Sequence, residues 1–325
     1  MRHLLVKLAF SIQAIALCTL APYASAQTYP NKPIRMVLGY PAGSGIDNVA
    51  RLVAQRMERS LGQTVLIENK PGALSNIAAQ HVARSVPDGY TLLFTPNSAL
   101  AANVHLFKKL PFDPLKDFKA VGPVGTLGFA LLVNPEALPV KSVAELTALI
   151  KKEPGKFAYG TGNATGQVVG ALYTYLADID VMNIPYKGVP AAVTDLIGAR
   201  IDYVMADVSL AIPQVAGGRV KALAVTDKKR VPALKDVPTM IEAGFPDFDL
   251  TGWFGIFLPA GAPPAVVELL EKNVKEAVSD PALVQALQSM GVEPWVGTSD
   301  DLAKVVVSDT EKWGRIIKRA GIVAE

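Results

Sequence analysis

The strongest constraint on this chain is a repeated alternation of short β-rich runs with amphipathic helical ones. IRMVLGY (34–40) leads through the turn PAGSG into IDNVARLVAQRMERSLG, whose apolar residues recur at helical spacing as far as Gly62. TVLIENK, the turn PGALS, the helical NIAAQHVARSV, the break PDG and the strand YTLLFT repeat the pattern. Helices of about 10–15 residues between strands specify βαβ units, right-handed crossovers and a mainly parallel sheet. The expected fold class is α/β.

The alternation then starts again. LPFDPLKDF separates the first set from VGPVGTLGFALLVN, after which VAELTALIKKEPG, GQVVGALYTYLA and PAAVTDLIGAR read as helices. FAYGT, DVMNIPY, IDYVMAD and KALAVT read as strands among them. TGWFGIFLPAG marks a third change of character, followed by three helical runs that start at Pro263, Pro281 and Asp300. Two α/β sets joined by extended segments imply a cleft. Open parallel sheets bind ligands beyond the carboxyl ends of their strands, so functional residues are expected just after strands.

Charge and cysteine usage limit the function classes. MRHLLVK followed by LAFSIQAIALCTLA and APYASA has the positive start, short apolar core and A-x-A ending of an export signal, with cleavage expected after Ala26. The apolar core is shorter than the roughly 20 residues of a membrane span. Removing residues 1–26 takes away Arg2, Lys7 and Cys18, the one cysteine, and turns a formal +3 over 325 residues into about +1 over 299. No basic stripe of the kind that neutralises nucleic-acid phosphates is visible, and no nucleic-acid partner is expected.

Two glycine-rich turns stand where a strand feeds a helix. In the first, Tyr40, Ala42, Gly43, Ser44, Ile46 and Asp47 surround a helix start whose free amides attract an anion. Ser44 adds a hydroxyl, and Asp47 is placed to cap the helix or favour its dipole. In the second, Thr161, Gly162, Asn163 and Thr165 offer compact polar groups beside free amides, a good arrangement for a carboxylate. Its spacing misses G-x-G-x-x-G by one residue, so no nucleotide cofactor is inferred. Asn97 and Ser98 follow YTLLFT, Tyr186 and Lys187 follow DVMNI, and Asp207 ends IDYVMAD. All five occupy strand ends suited to finishing a pocket.

Catalytic machinery is not evident. His81 and His105 lack metal-ligand spacing, no cysteine accompanies them, and no G-x-S-x-G elbow occurs. No catalytic residue, metal or cofactor is assigned. The residues alone leave three readings open: a binding protein, a ligand sensor feeding a signalling partner, and an α/β enzyme acting on a small acid.

The ordered set YPNKPIRMVLGYPAGSGIDNVAR, GQTVLIENKPGA, PDGYTLLF, LPFDPLKDF, NIPYKGVPAAVTDLIGARIDYVMAD, VKALAVT, VPTMIEAGFP and WFGIFLPAGAPP resembles the periplasmic solute-binding proteins of tripartite tricarboxylate transporters, the Bug or TctC-type receptor family. The resemblance implies a two-lobed, Venus-flytrap periplasmic-binding-protein fold with a ligand cleft between domains. It implies a discontinuous first domain of 27–125 and 252–325 and a second of 126–251. It further implies capture of a small carboxylate in the periplasm for a large and a small integral-membrane transporter subunit; a monomer is expected because the cleft needs no partner chain. Both glycine-rich turns and Asp207 then face the ligand. Two departures bear on specificity. Where the family pattern has Ser or Thr before the first-turn aspartate, this chain has Ile46, and Val169 stands near the place of a second-turn histidine. Both favour a ligand with one or two carboxylates on an apolar or aromatic body over a very polar one such as citrate.

Overall fold

The computed structural model describes residues 29–248 and 250–324, so the expected export signal and its cleavage site lie outside the described residues. Among the described residues, those from Lys32 onward form one compact unit. The first strands behave as buried parallel strands should. In β1 (Ile34–Leu38) only Arg35 is exposed, and β3 (Thr91–Pro96) is buried throughout, whereas β2 (Val65–Asn69) at the sheet edge is mostly not. Between them run α1 (Gly45–Leu61) and α2 (Asn76–Ala83). Helix α1 is started by Ser44, whose hydroxyl accepts the Asp47 N–H, and is stopped by Gly62 at φ 65°.

Strand β4 (Phe118–Leu127) belongs to this first sheet, and β5 (Phe129–Val133) belongs to a second. A single residue, Gly128, separates them. The second sheet is completed by β6 (Ala158–Thr161), β7 (Met182–Pro185), β8 (Tyr203–Asp207) and β9 (Lys221–Val225). Its helices are α3 (Val143–Lys152), α4 (Ala164–Ala177), α5 (Val189–Ile197) and α6 (Val208–Ala216). The chain returns to the first sheet as β10 (Gly252–Pro259), then α7 (Pro264–Val278), α8 (Pro281–Ser289), β11 (Val292–Pro294) and α9 (Ser299–Arg319). The strand orders are β11-β4-β10-β3-β1-β2 and β7-β6-β8-β5-β9.

Each sheet is mixed, not mainly parallel. β1, β2 and β3 pair in parallel, as do β6, β7 and β8, but β4, β5, β9, β10 and β11 pair antiparallel. Four of these, β4, β5, β9 and β10, flank the two crossings between sheets, and β11 follows α8 to pair with β4. Helix α6 also escapes the sequence pattern, because Pro213 lies inside it.

Helix α9 belongs to two cores. Near its start, Leu302 and Val306 pack with Val37, Leu93 and Phe257 of the first lobe. Near its end, Trp313 and Ile317 pack with Leu131, Tyr173 and Tyr203 of the second. A capping box between Thr298 and Asp301 fixes the start, and Lys318 and Arg319 complement the dipole at the end.

At the crossing, Thr226 is 1% exposed and its hydroxyl does two jobs. It accepts the Phe129 N–H at 2.9 Å and donates to the Leu250 carbonyl at 2.6 Å, while the Thr226 N–H donates to the Phe129 carbonyl at 2.8 Å. Thr226→Val keeps the shape and strands a buried N–H and a buried carbonyl. A loss of about 1–3 kcal/mol in urea unfolding is expected, with Thr226→Ser retaining most of the wild-type stability. An unchanged Thr226→Val would show that the two groups find other partners.

Candidate functional site

The two glycine-rich turns come from different sheets and converge. In the first turn, Tyr40 and Ile46 point inward and are buried. The Tyr40 hydroxyl lies 3.3 Å from Ser98 Oγ, and burial pushes its pKa up despite that bond. Ala42 and Gly43 stay at the surface. Asp47 is buried but faces its own lobe. Its carboxylate accepts from Arg51 Nε at 2.9 Å, from Asn69 Nδ2 at 2.8 Å and from the Gly43 N–H at 2.9 Å. Burial opposes its ionisation, but these bonds outweigh burial and hold the carboxyl below the ordinary range.

In the second turn, Asn163 caps α4 by accepting the Gly166 N–H at 2.7 Å, and its amide reaches Asp207 Oδ1 at 3.4 Å. Thr165 lies beside it in the same cavity. Thr161 turns away to donate to Asn183 at 2.9 Å. Gly162 is needed for close approach, because a Cβ there would stand 2.1 Å from the Val189 backbone nitrogen. Tyr186 donates its hydroxyl to Asp195 at 2.9 Å, and Lys187 is exposed.

Between the turns lies a small cavity. Its polar lining is Asn97, Asn163, Thr165 and Asp207, and its apolar lining includes Ile46, Leu127, Phe129, Trp253 and Phe254, with Tyr40 and Pro96 beside them. Of the residues expected from sequence, the fold thus brings together Tyr40, Ile46, Asn97, Asn163, Thr165 and Asp207. Ser44 and Ser98 stand one step back, as the α1 cap and as the partner of Tyr40. Sequence reading missed the aromatic wall, since Phe129, Trp253 and Phe254 sit in strands that read as ordinary core. Trp253 is held in place from behind, donating its indole N–H to the buried Asp309 carboxylate at 2.6 Å.

The free volume in this cavity is about 10 Å³, room for at most one water. The lobes also touch across the cleft: a Cβ on Gly45 would stand 2.0 Å from Ser209 Oγ, and one on Gly188 would stand 2.7 Å from Pro41 Cγ. A surface groove of about 340 Å³ beside Tyr175 and Ala320 is larger, but it shares no residue with either turn.

Asp207 is 2% exposed, and burial pushes its carboxyl from the ordinary 3.8 up to about 6, the Asn163 amide working the other way. A folded-state pKa above the unfolded one means that ionisation favours unfolding. The cost is absent below about pH 4, grows between about pH 4 and 6 and is complete above, amounting to about 2–3 kcal/mol for a shift of this size. Asp207→Asn should therefore gain stability relative to wild type on going from about pH 4 to 7, measured by chemical denaturation at both. An equal difference at the two pH values would count against a buried, ionisable Asp207. Among the described residues, no group of three His, Cys, Asp or Glu side chains is placed to hold a metal ion.

Known proteins share this fold. The profile of the tripartite tricarboxylate transporter family receptor, TctC, matches residues 49–322. Protein BugT of Bordetella pertussis is 32% identical over 311 residues, covering 94% of this chain and 95% of its own. A solved structure of R. palustris Rpa4515 with adipate superposes with a TM-score of 0.89 at 30% identity, covering 91% of this chain and all of that one. MatC from Rhodopseudomonas palustris, with bound malate, gives 0.84 at 29% identity, covering 89% of this chain and all of that one. With the family profile and full-length relatives agreeing with the two-sheet fold, the chain belongs to the TctC family of tripartite tricarboxylate transporter receptors, the periplasmic solute-binding proteins.

Proposed function

We propose that this receptor captures a small organic carboxylate with an apolar body between its two lobes, in the periplasm, and delivers it to the large and small membrane subunits of its transporter. The observation that carries the reading is the convergence of two helix-starting turns, one from each sheet, on a cavity with an aromatic wall and a polar end that holds no cationic side chain. Helix N-termini offer unpaired amides and a favourable dipole to an anion without a cationic side chain. The relatives with adipate and malate support the carboxylate class. Ile46, Leu127, Phe129, Trp253 and Phe254 support the apolar body. Ligand contacts are assigned to the side chains of Tyr40, Ile46, Asn97, Asn163, Thr165 and Asp207. Backbone amides at the starts of α1 and α4, those of Gly45, Ile46, Ala164 and Thr165, add to them.

The lobes are assigned to 27–125 with 252–325 and to 126–251, turning about Gly128 and the segment between Thr226 and Leu250. A cavity of about 10 Å³ admits no carboxylate unless the lobes part. Capture is thus an opening followed by closure, with no covalent change in the ligand.

A thermal-shift series with citrate, malate, adipate and benzoate tests the ligand class, since a ligand that binds only the folded form raises its melting temperature. Benzoate or adipate should stabilise more than citrate. Stabilisation by citrate alone would overturn the apolar-body reading. Closure has its own test: Gly188→Ala places a methyl against Pro41 across the cleft. It should weaken binding of the best acid by about tenfold while leaving unfolding stability within about 0.5 kcal/mol. Unaltered affinity would show that the two lobes need not meet there.

A further inference from the structure

The cavity places a buried carboxylate where the ligand's own carboxylate must go. Asp207 has one side-chain partner in it, the Asn163 amide at 3.4 Å, which is a long bond for an ionised acceptor. No Lys, Arg or His lines the cavity. The other titratable group facing it is Tyr40, a buried phenol engaged with Ser98. Asp47 spends its charge on Arg51, and Asp309 lies behind Trp253 and is occupied by the indole N–H. From β5, the residue opposite Asp207 in register is Phe129, which brings no charge. Asn97 contributes a second unusual feature. It is fully buried in the same cavity, and its amide makes no hydrogen bond of ordinary geometry, Asp309 behind it being the side chain it interacts with. An unpaired buried amide costs stability unless a ligand completes it.

We infer that Asp207 determines specificity by taking up a proton on capture: as a neutral acid it donates a hydrogen bond to the ligand's carboxylate, while Asn97 pairs with the same ligand group. The inference rests on the carboxylate reading above. Two carboxylates that share a dry cavity without a cation cannot both stay ionised, because repulsion and lost solvation both favour one shared proton. The proton comes from solvent as the lobes close and returns to it on release. No bond of the ligand changes. The cleft thereby selects anions that can share a proton with an acid, and it disfavours tricarboxylates, which would bring further charge into the same space.

Calorimetric titration of the purified receptor with benzoate and with adipate at about pH 6.5, 7.5 and 8.5 tests this, since ordinary carboxyls are ionised throughout that range. The dissociation constant should rise about tenfold per pH unit, with net proton uptake seen on changing the buffer. Asp207→Asn, which carries a permanent donor, should bind with no such slope. Asn97→Ala should bind more weakly yet keep the slope. Binding by wild type with a flat pH profile would overturn the proton role and leave the carboxylate reading standing. Failure of both probes to bind wild type and Asp207→Asn at every pH would overturn both.

Discussion

One hydroxyl organises the passage between the lobes. Thr226 ties the start of β5 to the end of β9 and to the residue that leads toward β10. With Gly128 as the sole residue between β4 and β5, the two sheets meet at a joint a few residues wide. The cavity is built on that joint. Leu127 and Phe129 flank Gly128, and Gly252, Trp253 and Phe254 begin the returning strand. Any rotation between the lobes therefore moves the aromatic wall, so the joint and the proposed recognition surface are one stretch of chain.

The polar side of the site follows a different logic. Each glycine-rich turn uses its best hydrogen-bonding side chain to hold itself. Asp47 clamps Gly43, Arg51 and Asn69, and Asn163 caps its helix while reaching Asp207. What remains for a ligand is backbone amide, a threonine hydroxyl, an unsatisfied asparagine and one buried acid. Such a set recognises charge through dipoles and shared protons. It accords with the net charge of residues 27–325, which is close to zero.

The βαβ alternation and the places of both turns were legible because strand ends, helix caps and glycine leave strong local marks. Gly62 stops α1 as its place in the sequence predicts, whereas Ser44 caps that helix where Asp47 was expected to, and Asn163, expected as a ligand group, caps α4. Side-chain direction was not legible. Asp47, Thr161 and Tyr186 occupy strand-end positions that suit a ligand, but partners distant in sequence (Asn69, Asn183) or one loop away (Asp195) claim them first. The aromatic wall was hidden for the opposite reason. Trp253 and Phe254 are as buried as any core residue, and only the crossing of sheets makes their surroundings a cavity. The mixed strand directions depend on the same crossing, which no local pattern encodes.

Helix α9 gives the lobes a second connection. Its first half is embedded in one core and its last half in the other, so opening the cleft has to work against a continuous rod of packed side chains. Affinity then carries a toll. Whatever the intrinsic fit of an acid to the cleft, the measured dissociation constant is larger by the inverse of the fraction of molecules open to admit it. A substitution deep in the α9 packing, far from any contact with the ligand, can thus retune the receptor by changing how often the door is ajar.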